Sequence, residues 1–461
     1  MTGAVIYAFL PQLPRFLTII IYPLLTQHLT ARDFGIFGIL TAYTGIISVV
    51  RDLGLTQVLV NTYYRHRKSY MLIWRHLHGV GYFWSLLYAL ILVLIIHFTL
   101  PVLTGSSRLL IYLLVALPVL MENAPGLSSL YFRLSEKPLP VGISAAINGF
   151  IYVSISFLTI VYWKLGFMGW LWASFCAALF SFLFHSYILY GKRKFFPLLR
   201  IRRQYLKKYL RLGGPMMLHD YSGYLLNSSD RVVMNVLRVN INQIGLYNVA
   251  YTFGNYFALF ETAMGMAATP IFLKYYSEKN YAGARQLTFL SQIIFLLASF
   301  VACLWMREVF ILLVKNDELK ITYPLGIVIV MGYNYKPMYQ ASTNILFYKE
   351  KTKAILSISF VAGLMNIILN LIFIPLYGYE AAAYTTFGCL LFMGFRGFSL
   401  KAYKEEATLN YYPVYWLFAI VFTAGGAFLL RDIPVSIKIM ITLFIAVATA
   451  IGFKRFKHIL T

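Results

Sequence analysis

The sequence predicts an all-helical polytopic membrane protein with about fourteen transmembrane helices, arranged as two six-helix lobes and two extra C-terminal helices. Of its 461 residues, 60% are hydrophobic and only 12% are charged, a balance that a water-exposed surface does not have. The apolar residues form runs of about 20, the length that a helix needs to cross a hydrocarbon core. Membrane β-strands would instead show short segments of alternating hydrophobicity.

The predicted spans follow one another with short loops between them. They lie near residues 5–27, 35–58, 79–101, 109–131, 140–163, 167–190, 214–237, 245–270, 287–313, 322–346, 354–376, 379–400, 411–430 and 434–453. The first span contains an arginine, has no positively charged segment before it, and has no small-residue cleavage site after it. It is therefore predicted to be a retained helix rather than a signal peptide.

An internal repeat predicts the two lobes. Three pairs of segments match, namely 34–43 with 244–253, 136–137 with 350–351, and 166–169 with 378–381. Their offsets of 210, 214 and 212 residues are nearly equal, which indicates a duplicated six-helix bundle of the kind found in alternating-access transporters. The predicted domains are an N-lobe (1–212), a C-lobe (213–403) and a C-terminal pair of helices with a tail (404–461).

The positions of the positive charges predict the topology. The net charge is +24, which in a soluble protein would suggest a nucleic-acid partner. Here most Lys and Arg residues fall in loops on the N-terminal side of the membrane, so the positive-inside rule places both termini in the cytoplasm. The charge surplus therefore does not indicate nucleic-acid binding.

The loop 191–213 between the sixth and seventh spans has nine basic residues and no acidic ones. It lies at the boundary of the repeat. One interpretation is an orientation signal that joins two bundles, and this is favoured. The other is a binding surface for anionic lipid headgroups or a lipid-linked substrate.

Ionisable residues inside the spans are the best guides to function, because at membrane depth they are costly unless they are paired or face water. Arg15 lies in the first span directly after Pro11 and Pro14, which are expected to bend the helix at the same depth. Arg51 lies toward the cytoplasmic end of the second span, next to Asp52, so it can pair or extend to the interface.

The seventh span has polar residues on one helical stripe. Asp220, Tyr224, Asn227 and Arg231 follow at i, i+4, i+7 and i+11, a spacing that predicts a stripe facing water. Asp230 precedes Arg231, and a local ion pair is the competing interpretation.

The tenth span has a second stripe that includes Lys336 and Gln340, with Pro337 as an expected kink. Its repeat partner is the fourth span, in which Glu122 aligns with Lys336 at the 214-residue offset. Glu261 in the eighth span is a further acidic candidate. The predicted substrate-binding residues are Arg15, Arg51, Arg231, Lys336, Asn227, Tyr224 and Gln340, and the candidates for coupling to H⁺ or Na⁺ are Glu122, Asp220, Asp230 and Glu261.

Several features together resemble a known family. These are the span number, the repeat, the stretch PLLTQHLTARDFGIFGIL (23–40), and SSDRVVMNVL followed by IGLYNVAYTF. They resemble the polysaccharide-export branch of the multidrug/oligosaccharidyl-lipid/polysaccharide (MOP) superfamily, and within it the Wzx-type oligosaccharide flippases. The resemblance covers essentially the whole chain.

The resemblance implies a MATE-like fold and a flippase in the bacterial inner membrane. The implied cargo is undecaprenyl-diphosphate-linked oligosaccharide for surface polysaccharides such as the O-antigen of lipopolysaccharide, and other polysaccharide assembly proteins are implied partners. No cofactor is implied. The related lipid II flippase uses arginines in its first, second and eighth spans. Arg15 and Arg51 match the first two by span, while the eighth span here lacks an interior basic residue, so Arg231 is the expected substitute.

Physical chemistry supports a cationic cavity for such a cargo. Fixed cations lower the barrier for a diphosphate in a region of low dielectric, and arginine can bind phosphate oxygens in a bidentate way. A drug exporter of the same superfamily would prefer acidic residues, and Glu122, Asp220 and Glu261 keep that alternative open, as the fold keeps open a lipid II flippase. The outer loops are short and show no metal cluster, nucleophile motif or phosphate-binding glycine loop, so the chain is not expected to be an enzyme.

Overall fold

The computed structural model describes residues 13–52, 55–65, 70–100, 107–198, 221–407 and 409–460. Within these ranges the regular elements are helices and no strand is present. The helices of the N-terminal half are α1 (Leu13–His28), α2 (Ala31–Asp52), α3 (Leu55–Arg65), α4 (Tyr70–Thr99), α5 (Ser107–Met121), α6 (Asn123–Leu134), α7 (Pro138–Phe157), α8 (Phe167–Ser186) and α9 (221–236). Helices α7 and α8 continue as π-helical turns over Leu158–Tyr162 and Tyr187–Lys192.

The second half of the chain is also helical throughout its regular elements. Its helices are α10 (Ile241–Ser277), α11 (Tyr281–Leu304), α12 (Met306–Leu313), α13 (Asp317–Lys320), α14 (Tyr323–Gly332), α15 (Lys336–Tyr348), α16 (Thr352–Tyr377), α17 (Ala381–Ser399), α18 (Lys401–Lys404), α19 (Pro413–Leu429) and α20 (Val435–Leu460). A 3₁₀ turn, Tyr333–Tyr335, joins α14 to α15. It ends two residues before Pro337, whose ring and missing N–H are expected to interrupt a regular helix.

The predicted all-helical membrane fold is confirmed. In the described part of the chain, eight helices are long and apolar enough to cross a membrane, and shorter apolar helices cover Phe16–His28 and Val435–Ile451. Each of the fourteen predicted spans falls mainly on helix where the structure describes it, although the predicted span 35–58 runs from α2 into α3.

The predicted spans 35–58 and 79–101 leave residues 59–78 as a loop on the cytoplasmic side, and the bounds of this loop are wrong. A separate helix, α3, occupies Leu55–Arg65, and α4 begins at Tyr70. The reason is that polar and aromatic side chains in this region are buried by specific contacts. The Trp74 indole donates to the carbonyl oxygen of Leu59 at 3.1 Å and to Thr62 Oγ1 at 3.0 Å, so α3 packs on the first turns of α4.

Two turns 214 residues apart close their helices with the same geometry. Glu136 and Glu350 both adopt positive φ, 56° and 57°. Around the first, Glu136 N donates to Arg133 O and Lys137 N to Phe132 O; around the second, Glu350 N donates to Phe347 O and Lys351 N to Leu346 O. The same turn also follows helices at Arg238 and Lys279, so it is a recurrent helix end in this chain and does not by itself mark the repeat.

The chain folds into two compact units. The first contains residues 1–246 and 313–316, and the second contains residues 247–312 and 317–461. Helix α9 and the first turn of α10 thus belong to the first unit. The predicted lobe boundary at residue 212 lies in a segment outside the described residues and stays a prediction.

Candidate functional site

A cavity with both polar and apolar walls lies in the first unit among α1, α5, α6, α7 and α8. Its volume is about 550 Å³. The polar residues that line it are Thr18, Glu122, Asn148, Tyr152, Ser174 and Ser181, and the rest of the wall is apolar. A cavity of this size with several polar groups can hold water, an ion or a small polar group.

Glu122 reaches this cavity from a break between two helices. It lies between the end of α5 and the start of α6. Pro118 precedes it and Pro125 follows it, and all three residues line the cavity. Asn148 lines the same cavity, and its Oδ1 is buried and accepts no hydrogen bond. A buried acceptor of this kind is uncommon and marks a place where an added donor or cation would bind favourably.

Pro14 forms part of the same wall; it lies in the first described turn of α1, and the predicted bend of the first span stays a prediction because Pro11 lies outside the described residues. A Cβ atom on Gly149 of α7 would overlap the Pro14 ring, so α1 and α7 are in close contact there. The side chain of the neighbouring Arg15 lies outside the part of the chain that the structure describes, and so do those of Arg51 and Asp52. Asp220 lies outside it entirely.

His185 of α8 packs between two neighbouring helices of the first unit. It is buried, its Nδ1 lies 2.9 Å from Ser128 Oγ, and its Nε2 lies 3.0 Å from Ser144 Oγ. The imidazole thus bridges α6 and α7, and both of its nitrogens are engaged.

The described part of the α9 stripe packs mainly against other helices of the first unit. Tyr224 is 8% exposed and donates to Ala42 O at 2.7 Å. Arg231 is 5% exposed and donates to Asn227 O at 3.3 Å, while the neighbouring Asp230 is fully buried. Asn227 alone of these four has an exposed side chain, and its Nδ2 bonds Gly223 O.

In the second unit, two residues predicted for different roles form one ion pair. Lys336 Nζ lies 3.2 Å from Glu261 Oε1, with side-chain exposures of 25% and 12%. The ammonium also lies 5.6 Å from the centre of the Tyr335 ring. Gln340, one turn along α15, places its Nε2 beside Gly265 of α10. The structure therefore brings Lys336, Gln340 and Glu261 together on the facing surfaces of α10 and α15.

The sequence reading missed a buried polar network between α16 and α17. Asn366 Nδ2 donates to Thr386 Oγ1 at 2.9 Å, Asn370 Nδ2 donates to Asn366 Oδ1 at 3.2 Å, and Thr385 donates to Asn370. Asn366 and Asn370 are both fully buried. The available signal was the i, i+4 spacing of two asparagines within an apolar span, because buried amides need hydrogen-bond partners in a neighbouring helix.

Comparisons with known proteins agree with this architecture. A model of a family described as polysaccharide biosynthesis protein matches residues 3–276, and the MatE family model matches residues 215–372. No curated protein sequence matches the chain.

Two solved structures illustrate the fold. The inward-facing conformation of a multidrug resistance MATE family transporter of the MOP superfamily aligns with a TM-score of 0.64 and 13% identity, over 90% of this chain and 98% of its own. The lipid II flippase MurJ, in an inward closed conformation, aligns with a TM-score of 0.61 and 14% identity, over 93% and 98%. Together with the family match, which spans more than half of the chain, they confirm the resemblance that the sequence predicts. The protein belongs to the polysaccharide biosynthesis protein family and is a multi-pass membrane protein with the fold of the MOP-superfamily transporters.

Proposed function

We propose that the protein is a flippase that moves undecaprenyl-diphosphate-linked oligosaccharide from the cytoplasmic to the outer leaflet of the bacterial inner membrane by alternating access. The observation that carries this proposal is the partly exposed Lys336 ammonium among apolar helices of a polysaccharide biosynthesis protein. A fixed cation at membrane depth requires an anionic partner. The diphosphate of such a cargo is an anion that could pair with the Lys336 ammonium.

The Lys336–Glu261 pair supports a binding step by exchange. In the absence of cargo the Glu261 carboxylate compensates the ammonium at 3.2 Å. An ammonium has three N–H donors, so a phosphate can bind it and displace the carboxylate. Gln340 is placed to donate to the same group. Arg15 and Arg51 would add the cations that the family resemblance implies. Arg231 would have to leave its buried position to contribute.

We propose that the cavity around Glu122 couples transport to H⁺ or Na⁺. A carboxylate, an amide oxygen and hydroxyls are oxygen donors, which suit a proton or a hard cation. Glu261, once displaced from Lys336, is a second site for a proton. Asp220 and Asp230 remain proposed coupling residues.

The proposed setting follows from the charges of the loops. Both termini would lie in the cytoplasm, and the loop 191–213 would contact anionic headgroups and other polysaccharide assembly proteins. In the described part of that loop, Arg75 Nε donates to Phe196 O at 2.8 Å and Leu198 N donates to Arg75 O at 2.9 Å. These bonds hold the start of the loop against α4.

A drug exporter is the second candidate, favoured by the MatE match and by acidic side chains such as Glu122. A drug exporter needs the carboxylates for organic cations and does not need Lys336. Lipid II transport is a third possibility, which shares the diphosphate but differs in the glycan.

The deciding experiment is leaflet assignment of lipid-linked oligosaccharide in cells depleted of this protein, with a membrane-impermeant probe for the sugar. We expect accumulation on the cytoplasmic side, rescue by the native chain, and no rescue by Lys336→Gln. Lys349→Gln is the matched control, since Lys349 pairs with Glu406 in a loop at 3.2 Å. Normal outer-leaflet delivery without the protein, in cells that lack other flippases, would exclude this function and favour drug export.

Ion coupling is tested in proteoliposomes with Glu122→Gln, which preserves shape but does not hold a proton or Na⁺ as a carboxylate does. We expect transport that no longer responds to a pH or Na⁺ gradient, in a chain with normal thermal stability. Glu350→Gln, in a cytoplasmic turn by the predicted topology, is the control. An unchanged gradient dependence in Glu122→Gln would exclude the cavity as the coupling site.

A further inference from the structure

A cleft opens in the second unit between the last turns of α10 and α15 and the start of α16. Its volume is about 560 Å³, within the range of about 300–1,000 Å³ that is common for small-ligand sites. The residues that line it are Leu273, Phe347, Tyr348, Glu350 and Thr352. By the predicted topology this end of α10 and α15 lies on the cytoplasmic side, where a lipid-linked cargo first meets the protein.

The two aromatic rings of the cleft are exposed. Phe347 is 60% exposed and Tyr348 is 41% exposed. Tyr348 packs beside the buried Tyr276 of α10, with 6.0 Å between the ring centres, so its ring is supported by a fixed neighbour. An exposed ring that is held in place offers a flat apolar surface to a ligand, and little side-chain entropy is lost when the ligand binds.

A continuous seam between α10 and α15 connects this cleft to the Lys336–Glu261 pair. The two helices meet at three levels, in the same order along both: at the ion pair, at Gly265 with Gln340, and at Tyr276 with Tyr348. Phe347 follows Lys336 by eleven residues, or three helical turns, and therefore lies on the same face of α15. The distance between the two positions along the helix axis is about 16 Å.

An amide group without a hydrogen bond lies along this part of α15. Asn344 is four residues after Gln340 and three before Phe347, so its side chain is a neighbour of both on the helix surface. Its Nδ2 is buried and has no hydrogen-bond partner among the residues that the structure describes. A buried donor of this kind is uncommon and marks a place where an acceptor, such as a hydroxyl oxygen, would bind favourably.

The side chains around the cleft suit an uncharged polar ligand. Glu350 brings an acidic side chain to the cleft, and the lysines on either side of it are paired, with Lys349 Nζ 3.2 Å from Glu406 Oε2 and Lys351 Nζ 3.1 Å from Glu405 Oε2. A phosphate group would be repelled by the acidic side chain. The Tyr348 and Thr352 hydroxyls can both donate hydrogen bonds to sugar hydroxyls and accept them.

We propose that this cleft is a carbohydrate-binding subsite for the oligosaccharide of the cargo. The inference rests on the proposed flippase function and adds to it a place where the glycan binds. Lys336 binds the diphosphate, and the sugar units extend along α15 past Asn344 onto the Phe347 and Tyr348 rings. The cleft thereby contributes to glycan selection, because a sugar ring stacks on an aromatic ring only through a face that presents C–H groups.

The subsite is tested by titrating two lipids into the full-length protein in nanodiscs, with native mass spectrometry as the readout. One lipid is the undecaprenyl-diphosphate-linked oligosaccharide extracted from cells that produce the protein, and the other is undecaprenyl diphosphate, which has no glycan. Phe347→Leu keeps an apolar side chain but removes the flat ring. We expect it to raise the dissociation constant of the glycan-bearing lipid about tenfold and to leave that of undecaprenyl diphosphate unchanged. Lys336→Gln should weaken the binding of both lipids.

Two further variants control this experiment. Phe347→Tyr keeps the ring and should bind both lipids as the native chain does. Phe422→Leu is the matched control, because Phe422 is 84% exposed on α19 and does not line the cleft. Equal weakening of both lipids by Phe347→Leu would assign the cleft to the prenyl chain, and unchanged binding of both would leave the ring as an interfacial anchor. Either result would overturn the subsite.

A second measurement separates this inference from the flippase function. The probe is the free oligosaccharide, released from the same lipid by mild acid, and the readout is saturation-transfer NMR from the protein to the sugar protons. We expect a signal with the native chain and with Lys336→Gln, and its loss in the double variant Phe347→Ala/Tyr348→Ala. If this result is obtained and the leaflet assay shows no flippase activity, the proposed function fails and the subsite stands. If export requires Lys336 but the sugar signal is absent or does not depend on the two rings, the function stands and the subsite fails.

Discussion

At the scale of single residues, the ion pair between Lys336 and Glu261 determines what either side chain can do alone. Removing one partner of a buried pair leaves an uncompensated charge, whereas replacing both is often tolerated. Because this pair is 25% and 12% exposed, the penalty should be smaller than for a fully buried pair. Stability and transport should therefore respond differently to single and double substitution.

We expect Lys336→Met to destabilise the protein by about 2 kcal/mol, because it leaves Glu261 with a lost charge partner. The double variant Lys336→Met/Glu261→Gln should recover most of that stability but none of the export. Thermal unfolding in detergent and the leaflet assay measure the two effects. Recovery of export in the double variant would show that Lys336 does not bind the cargo.

The sequence predicts which polar residues lie inside the spans, but it does not predict which residues they contact. The helical stripes identify Lys336, Gln340 and Glu261 as interior polar groups, since unpaired charges at membrane depth are rare. Sequence spacing within one helix does not say which helix lies opposite, so the pairing of α10 with α15 emerged only from the structure. The placement of Arg231 shows the same limit, because its stripe does not reveal that α9 packs against α2.

At the scale of elements, the turns at Glu136 and Glu350 close two helix ends with the same backbone geometry. Both glutamates occupy left-handed conformations, which cost an L-residue energy and which glycine adopts without that cost. Composition alone would not predict them, because glycine is the residue usually found at such helix ends.

Glu136→Gly should therefore stabilise the protein, by about 0.5–1 kcal/mol, although it removes a charged side chain. Glu136→Ala removes the same side chain without relieving the backbone, so it should give no gain. Thermal unfolding of both variants separates the two causes. A gain of equal size in the alanine variant would assign the effect to charge rather than to φ.

A second element-scale feature is an ionic staple between the turn before α16 and the segment after α18. Lys351 Nζ lies 3.1 Å from Glu405 Oε2 and 3.0 Å from Glu406 Oε1. Hydrogen bonds from Lys351 and Lys349 lower the pKa of Glu406 below its ordinary 4.5. Hydrogen bonds to Glu406 and Glu405 raise the pKa of Lys351 above 10.5.

These shifts predict that the ion pair stabilises the protein only between an acid and an alkaline limit. The contribution of Glu406 is complete above pH 4.5 and is lost as the pH falls through the lowered pKa. The contribution of Lys351 is complete below pH 10.5 and is lost as the pH rises through the raised pKa. Lys351→Met should thus lower the melting temperature slightly at neutral pH, because the pair lies at the surface, with exposures of 28% and 21%, and is screened by water. It should also weaken the dependence of stability on acid pH. If the native chain and Lys351→Met lose stability in the same way as the pH falls, the ion pair does not contribute to the pH dependence of stability.

At the scale of the whole molecule, composition and the repeat were sufficient for the fold class because both are properties of long segments. Runs of about 20 apolar residues have few alternatives to a spanning helix. The separate helix α3 was missed since it is short and amphipathic, and its packing depends on Trp74, a contact that periodicity does not encode. The division into two compact units at Leu246 was not predicted either, because it falls inside α10, where the sequence has no linker.

The fourteen-span topology makes a prediction that extends over the entire chain. Reporter fusions after residues 200 and 405 should report the cytoplasm, since basic loops are retained on that side, and a fusion after residue 316 should report the opposite side. The last position is the most informative, because Asn316 Nδ2 donates to Leu29 O, so the side on which residue 316 lies is also the side of the connection between α1 and α2. A cytoplasmic signal there would overturn the fourteen-span topology.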